Sequence, residues 1–187
     1  MSKAYIGLGS NLGQPRQQLL SALAHLAHLP HSRLVSWSGI WQSPPMGPPD
    51  QPDYLNAAAL LDTELEPLVL LEALQRIEIE QHRVRSLRWG PRTLDLDLLV
   101  YEQLILTTER LQLPHPGIPQ RDFVLQPLAQ IDAQLSIPGQ GQVQQLLDRL
   151  PPQQLNCRLL EEAPERQTFD FQVTRGNNLT FRDHPAG

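Results

Sequence analysis

The apolar and polar positions of this chain change period several times, and each change marks an element. Ala4 to Ser10 is an apolar run of strand length, after which Gln14 to Leu29 places Leu19, Leu20, Leu23 and Leu26 at helical spacing. From Arg33 to Gln42, Leu34, Ser36, Ser38 and Ile40 alternate with Val35, Trp37, Gly39 and Trp41, which predicts a second strand. Ser43 to Pro52 then holds five prolines in ten positions. Proline lacks a backbone donor and fixes φ, so this is a stiff loop outside any ladder, either a link or a wall of a substrate pocket. Tyr54 to Leu61 predicts a third strand, Leu65 to Arg83 an amphipathic helix, and residues 84–91 a loop.

Beyond that loop, Thr93-Leu-Asp95-Leu-Asp97-Leu-Leu-Val100 has period two. Asp95 and Asp97 leave one face of a strand, and Leu94, Leu96, Leu98 and Val100 leave the other. The order is now β-α-β-β-α-β, which predicts a ferredoxin-like α+β sandwich, an antiparallel sheet covered by helices on one face. Pro114-His115-Pro116-Gly117 reads as a turn, Arg121 to Ile131 as a helix and Val143 to Leu150 as another. One domain over residues 1–160 follows, with 161–187 a polar tail, disordered or folded as a terminal hairpin around Arg175-Gly-Asn-Asn178. There is no internal repeat.

Two carboxylates on one strand face repel unless a cation lies between them, and a hard divalent ion takes such oxygens readily. A charged solvated strand face is the plainer explanation. The arginines shift the balance. Lys3 is the only lysine among 15 Lys and Arg residues, leaving fourteen arginines, of which Arg76, Arg83, Arg85, Arg88 and Arg92 occupy seventeen consecutive positions. A guanidinium fork grips phosphate oxygens in pairs, so magnesium beside arginines points to a polyphosphate.

Net charge −5 and a pI near 5.6 argue against general binding of nucleic acid or anionic membranes, so the anion is bound locally. The single cysteine, Cys157, excludes a disulfide framework and fits a reducing compartment. The first residues carry no signal-peptide pattern and no segment approaches a membrane span, so a cytoplasmic location is expected. With no lysine in a glycine-rich loop, a P-loop is excluded. Gly7-Leu-Gly9-Ser-Asn11-Leu-Gly13 has three residues where a dinucleotide fingerprint has two, so it reads as a strand-to-helix turn. His25, His28 and His31 share a helix end with no carboxylate near in sequence, which disfavours a metal there.

Several separate motifs, in order, resemble the 6-hydroxymethyl-7,8-dihydropterin pyrophosphokinase family of folate biosynthesis. They are Ala4-Tyr-Ile-Gly-Leu-Gly-Ser-Asn-Leu12, Ser43-Pro-Pro45, Gln51-Pro-Asp-Tyr-Leu-Asn-Ala57, Arg83-Val-Arg85, Arg88 to Leu99, Leu113-Pro-His115 and Arg121-x-Phe123. The resemblance spans residues 4–150. It implies transfer of the β,γ-pyrophosphoryl group of ATP to the pterin hydroxymethyl oxygen with release of AMP. Asp95 and Asp97 would hold two Mg²⁺ and Arg83 and Arg92 would stabilise charge on the moving group; no definite general base is assigned, Asp97 being the natural candidate. Tyr54 and Phe123 would stack on the pterin and Asn56 would bond its edge, joined by Ser43, Pro44 and Met46; core packing is the plainer reading of the two rings. Gln75, Glu78, Arg85, Trp89, Leu98, Arg110, His115 and Arg121 correspond to ATP contacts along with Arg83 and Arg92, and Trp89 also borders the pterin. His115 has a rival reading as a turn residue.

Two departures stand out: Pro116 replaces a side chain that reaches the nucleotide in many members, and Ser86-Leu87 shortens the segment that would close over ATP. The expected protein is a monomer with ATP and the pterin as its only partners. The rivals are a nucleotidyl transferase attacking the α-phosphorus and a non-catalytic RNA-binding module, the latter disfavoured by low basicity.

Overall fold

A computed structural model describes residues 1–81 and 93–163 of the chain. The main sheet is built from β1 (Ser2–Ser10), β2 (Ser32–Trp37), β3 (Ile40–Ser43), β4 (Tyr54–Thr63), β5 (Asp95–Tyr101) and β10 (Arg158–Glu161). Its order is β10-β3-β4-β1-β5, every pairing is antiparallel, and β2 pairs with β4 on the β3 side. Taking β2 and β3 as one bent strand, the order is that of a ferredoxin-like sheet, as expected.

Helix α1 (Pro15–Ala27) and helix α2 (Pro67–Glu80) each begin with proline, whose fixed φ suits the first helical position. Their buried leucines, Leu19, Leu23 and Leu26 with Leu70 and Leu74, meet Ile6, Leu61, Leu96 and Leu98 of the sheet. Burial of each such side chain contributes about 1.5–3 kcal/mol.

The other face is also covered. Helix α3 (Asp122–Asp132) and helix α4 (Val143–Arg149) bury Leu125, Leu128, Val143 and Leu146 against Tyr5, Ala58, Leu60 and Leu99. Helices on both faces correct the one-faced expectation. The reason is visible in β4, where Ala57 to Leu61 is buried without alternation, as a strand between two layers must be. Short hairpins, β6 (Leu106–Thr107) with β7 (Gln112–Leu113) and β8 (Ser136–Ile137) with β9 (Gly141–Gln142), and two single-turn 3-10 helices complete the described elements.

Two expected strands are interrupted. The single strand over Arg33 to Gln42 breaks at Ser38-Gly39, where Ser38 Oγ accepts from the Ala58 amide at 2.8 Å and a Cβ at Gly39 would collide with the Glu161 carbonyl oxygen. In β5 the register shifts: Ile6 pairs with Leu98 but Tyr5 pairs with Val100. This bulge turns Val100 to the α3 side, away from Leu96 and Leu98, against the strict alternation expected. Glu161, expected to open the tail, instead ends β10, and Arg16 grips its carboxylate with two bonds of 2.7 and 2.8 Å. Residues 164–187, including the expected hairpin, lie outside the described residues. No helix among the described residues is long and apolar enough to cross a membrane.

Candidate active site

The strand register decides which side chains meet. Asp95 lies opposite Gly9 and Asp97 opposite Gly7, and on the next strand Gly9 faces Asn56 and Gly7 faces Ala58. Directly paired residues share a face, so two rows run across the sheet: Asn56, Gly9, Asp95 and Ala58, Gly7, Asp97. Glycine raises nothing above the backbone and alanine only a methyl, which leaves a low floor with a carboxylate at the end of each row. A cleft of about 380 Å³ opens over this floor. One wall is Ser43, Pro44, Met46 and Gln51 with Tyr54, and the other is Arg121, Phe123 and Val124 at the start of α3.

The structure thus brings together Ser43, Pro44, Met46, Tyr54, Asn56, Asp95, Asp97, Arg121 and Phe123. Asn56 and Ser43 are buried, and the Asn56 Nδ2 donates to Ser43 Oγ at 2.9 Å and to the Trp41 carbonyl at 3.4 Å. With its amino end so occupied, Asn56 turns Oδ1 toward the space above Gly9, where a Cβ would lie 3.8 Å from it. A ligand on this floor meets a hydrogen-bond acceptor. Tyr54 Cδ1 is 3.9 Å from the same point, and both Tyr54 and Phe123 are only half-buried, which favours stacking faces over core packing. The Arg121 guanidinium lies 6.0 Å from the Phe123 ring centre, over the bare Cα of Gly117, whose Cβ would fall 2.6 Å from Arg121 Cζ.

Other expected contacts lie around this cleft and do not line it. Glu78 is buried and accepts from the Leu96 amide at 2.8 Å, capping the free edge of β5 between the two aspartates. Gln75 is exposed on α2, and Arg110 forms an exposed pair with Glu72 at 3.0 Å. The Leu98 side chain points into the α1/α2 core, so only its backbone is available to a nucleotide. His115 Nδ1 accepts from the Gly117 amide at 3.0 Å, which places the proton of the neutral ring on Nε2. Burial and, more weakly, the Arg121 charge lower the pKa of His115, while Asp97 opposes them. Both readings of His115 are therefore compatible: a turn residue whose Nε2–H is left as a donor. Arg83, Arg85, Trp89 and Arg92 lie outside the described residues.

The donor set fits magnesium. Two carboxylates on one face, beside an open cleft, match an ion that takes one or two protein oxygens and completes its shell with phosphate and water. Among the described residues no three His, Cys, Asp or Glu side chains cluster closely enough for an all-protein site. The helix-end histidines do meet carboxylates brought in by the fold: His25 Nε2 is 3.7 Å from Glu80 Oε2 and His31 Nδ1 is 3.5 Å from Glu64 Oε2. These are pairs, not ligand sets. Sequence reasoning missed Gly7, Gly9, Gln51 and Val124 as cleft residues. The Gly7-x-Gly9 period in an apolar strand was the available signal for the first two.

The family described as 7,8-dihydro-6-hydroxymethylpterin-pyrophosphokinase (HPPK) matches residues 5–133. A Pseudomonas aeruginosa protein named 2-amino-4-hydroxy-6-hydroxymethyldihydropteridine pyrophosphokinase is 48% identical over 151 residues, covering 81% of this chain and 93% of the relative. A Haemophilus influenzae protein of the same name is 50% identical over 147 residues, covering 79% and 92%. Among solved structures, wild-type Plasmodium falciparum HPPK-DHPS with pteroate matches with a TM-score of 0.64 at 12% identity over 79% of this chain, and supports the fold alone. The match covers 42% of that longer chain.

Proposed function

The chain belongs to the 7,8-dihydro-6-hydroxymethylpterin-pyrophosphokinase family and transfers pyrophosphate from ATP to 6-hydroxymethyl-7,8-dihydropterin in folate biosynthesis, and we propose that it does so in the cleft over Gly7 and Gly9. The observation that carries the site is the register that sets Asp95 and Asp97 on the same floor as Asn56, between Tyr54 and Phe123.

In this reading the flat pterin lies against Tyr54 and Phe123, and Asn56 Oδ1 accepts from its amino and ring N–H edge. Ser43, Pro44 and Met46 close the edge by backbone contacts. The hydroxymethyl arm then points along the floor toward the carboxylates. Asp95 and Asp97 would hold two Mg²⁺ ions, which when bound neutralise phosphate oxygens and bring the triphosphate to the acceptor. Asp97, the more exposed acid, is the natural candidate to take the hydroxyl proton as the oxygen attacks the β-phosphorus and the bond to the α-phosphate oxygen breaks. Arg121, with its guanidinium at the cleft wall, contacts the phosphate end, and Glu78 holds β5 so that both acids keep their direction. Arg83, Arg85, Trp89 and Arg92 complete the nucleotide side, with Arg83 and Arg92 on the transferred group, and Gln75, Arg110, His115 and the Leu98 backbone as outer contacts. The protein acts as a monomer in the cytoplasm, which sedimentation and fractionation would test.

The decisive experiment is incubation with Mg-ATP and the reduced pterin alcohol, with mass analysis of the products. Equal amounts of AMP and pterin diphosphate are expected. Release of inorganic pyrophosphate with an adenylylated pterin would instead mean attack at the α-phosphorus.

A further inference from the structure

Asp122 stands between two residues of the cleft wall without being part of that wall. Arg121 and Phe123 line the cleft, whereas the Asp122 side chain points behind it and is only 5% exposed. An aspartate in the first turn of a helix ordinarily serves that helix's own free N–H groups. Here a single oxygen, Oδ2, accepts from the backbone amides of Asn156 and Cys157, each at 2.6 Å, more than thirty residues downstream. Two short bonds to a buried carboxylate are strong ones.

What they hold matters for the opposite wall. Cys157 leads directly into β10, which pairs with β3 through Arg158 opposite Gln42 and Leu159 opposite Trp41. The Arg158 guanidinium also reaches Gln42 Oε1 at 2.8 Å. The residue after Gln42 is Ser43, which supports Asn56 and begins the proline-rich wall. A continuous path therefore runs from the stacking ring through Asp122, residues 156–158 and β3 to the pterin-edge contacts. We infer that Asp122 is a positioning residue, whose clasp on the C-terminal segment fixes the Phe123 wall at its working distance from the Ser43 and Asn56 wall. The inference rests on the pterin site proposed above.

Cys157, the chain's single cysteine, reports on the clasp. Burial and the neighbouring Asp122 charge push its thiol up to about 12, so at pH 8 it stays protonated and reacts slowly with a disulfide reagent. In Asp122→Ala, thiol reaction at pH 8 accelerates about 10-fold or more, through loss of the carboxylate charge as well as opening of the clasp, and the KM for pterin, which the charge alone would not move, rises about 10-fold while kcat stays within about 3-fold, since a small misplacement of a binding wall is costly. Asp122→Asn keeps an acceptor oxygen and returns the KM to within about 3-fold of the unaltered chain. Should the alanine variant fold poorly, Asn156→Pro removes one donor from the far side and leaves α3 intact; it raises the pterin KM by about 3-fold.

A folded Asp122→Ala or Asn156→Pro variant with faster thiol reaction but unchanged pterin KM would overturn the positioning role, leaving only a structural clasp. An unaltered chain that forms no AMP would overturn both this inference and the site on which it rests.

Discussion

Asp95 and Asp97 share a strand face but not a setting: Asp95 is half-buried beside Gly9, whereas Asp97 is exposed opposite Gly7. Neither contributes core, so removing either carboxylate should spare the fold while removing a proposed magnesium ligand and, at Asp97, the proposed proton acceptor. Asp95→Ala and Asp97→Ala should each lower kcat by a factor of about 1000 or more, the scale on which charge stabilisation acts in phosphoryl transfer. Heating curves give a second readout. A nonhydrolysable ATP analogue with magnesium should raise the melting temperature of the unaltered chain, because a ligand that binds only the native state stabilises it by mass action. The same mixture should leave both variants where they melt alone. An Asp97→Ala enzyme that still turns over at near the normal rate would remove that residue from the reaction.

At the scale of elements, the cleft exists because β1 is bare at alternate positions. Gly9→Ala tests this directly: the new methyl would lie 3.8 Å from Asn56 Oδ1 and 3.9 Å from the Tyr54 ring, ordinary contacts that cost the fold little. It would nonetheless occupy the floor on which the pterin is proposed to rest. The pterin KM should rise about 10-fold or more with stability within about 1 kcal/mol of the unaltered chain, as steady-state kinetics and urea denaturation would register. Much of this element was readable from period alone, since the alternation of Asp95 and Asp97 with leucines does place both acids on the cleft. Period fails where neighbours intervene. The bulge that turns Val100 is set by how β5 meets β1, and the break at Gly39 by a strand more than a hundred residues away. Strand β10 itself, four residues long and mostly exposed, carries almost no pattern and exists by pairing with β3. Leu98 illustrates the limit of resemblance: the resemblance names the position, but only the fold reveals that its side chain serves the core.

For the whole molecule, the layers are closed by contacts between distant parts of the chain, and one of these gives the fold a predictable acid response. Arg16 at the start of α1 holds Glu161 at the end of β10, joining the first helix to the last strand among the described residues. The hydrogen bond from Arg16 lowers the pKa of Glu161, burial opposes it, and the Arg16 charge adds to the lowering. A carboxylate whose native pKa is depressed binds fewer protons folded than unfolded. Its contribution is therefore complete above the ordinary glutamate value of about 4.3 and disappears as pH falls through the lower native value. Because the two side chains are 43% and 34% exposed, solvent screens the pair, and its contribution is less than about 1 kcal/mol. Glu161→Gln should accordingly be less stable than the unaltered chain at pH 7, and the gap should narrow as pH falls below the ordinary glutamate range and the native carboxyl takes up its proton. Urea unfolding of the two proteins across that range measures the difference. A gap that stays constant from pH 7 to pH 3 would mean that packing of β10 against β3, and not the ion pair, fastens the C-terminal strand.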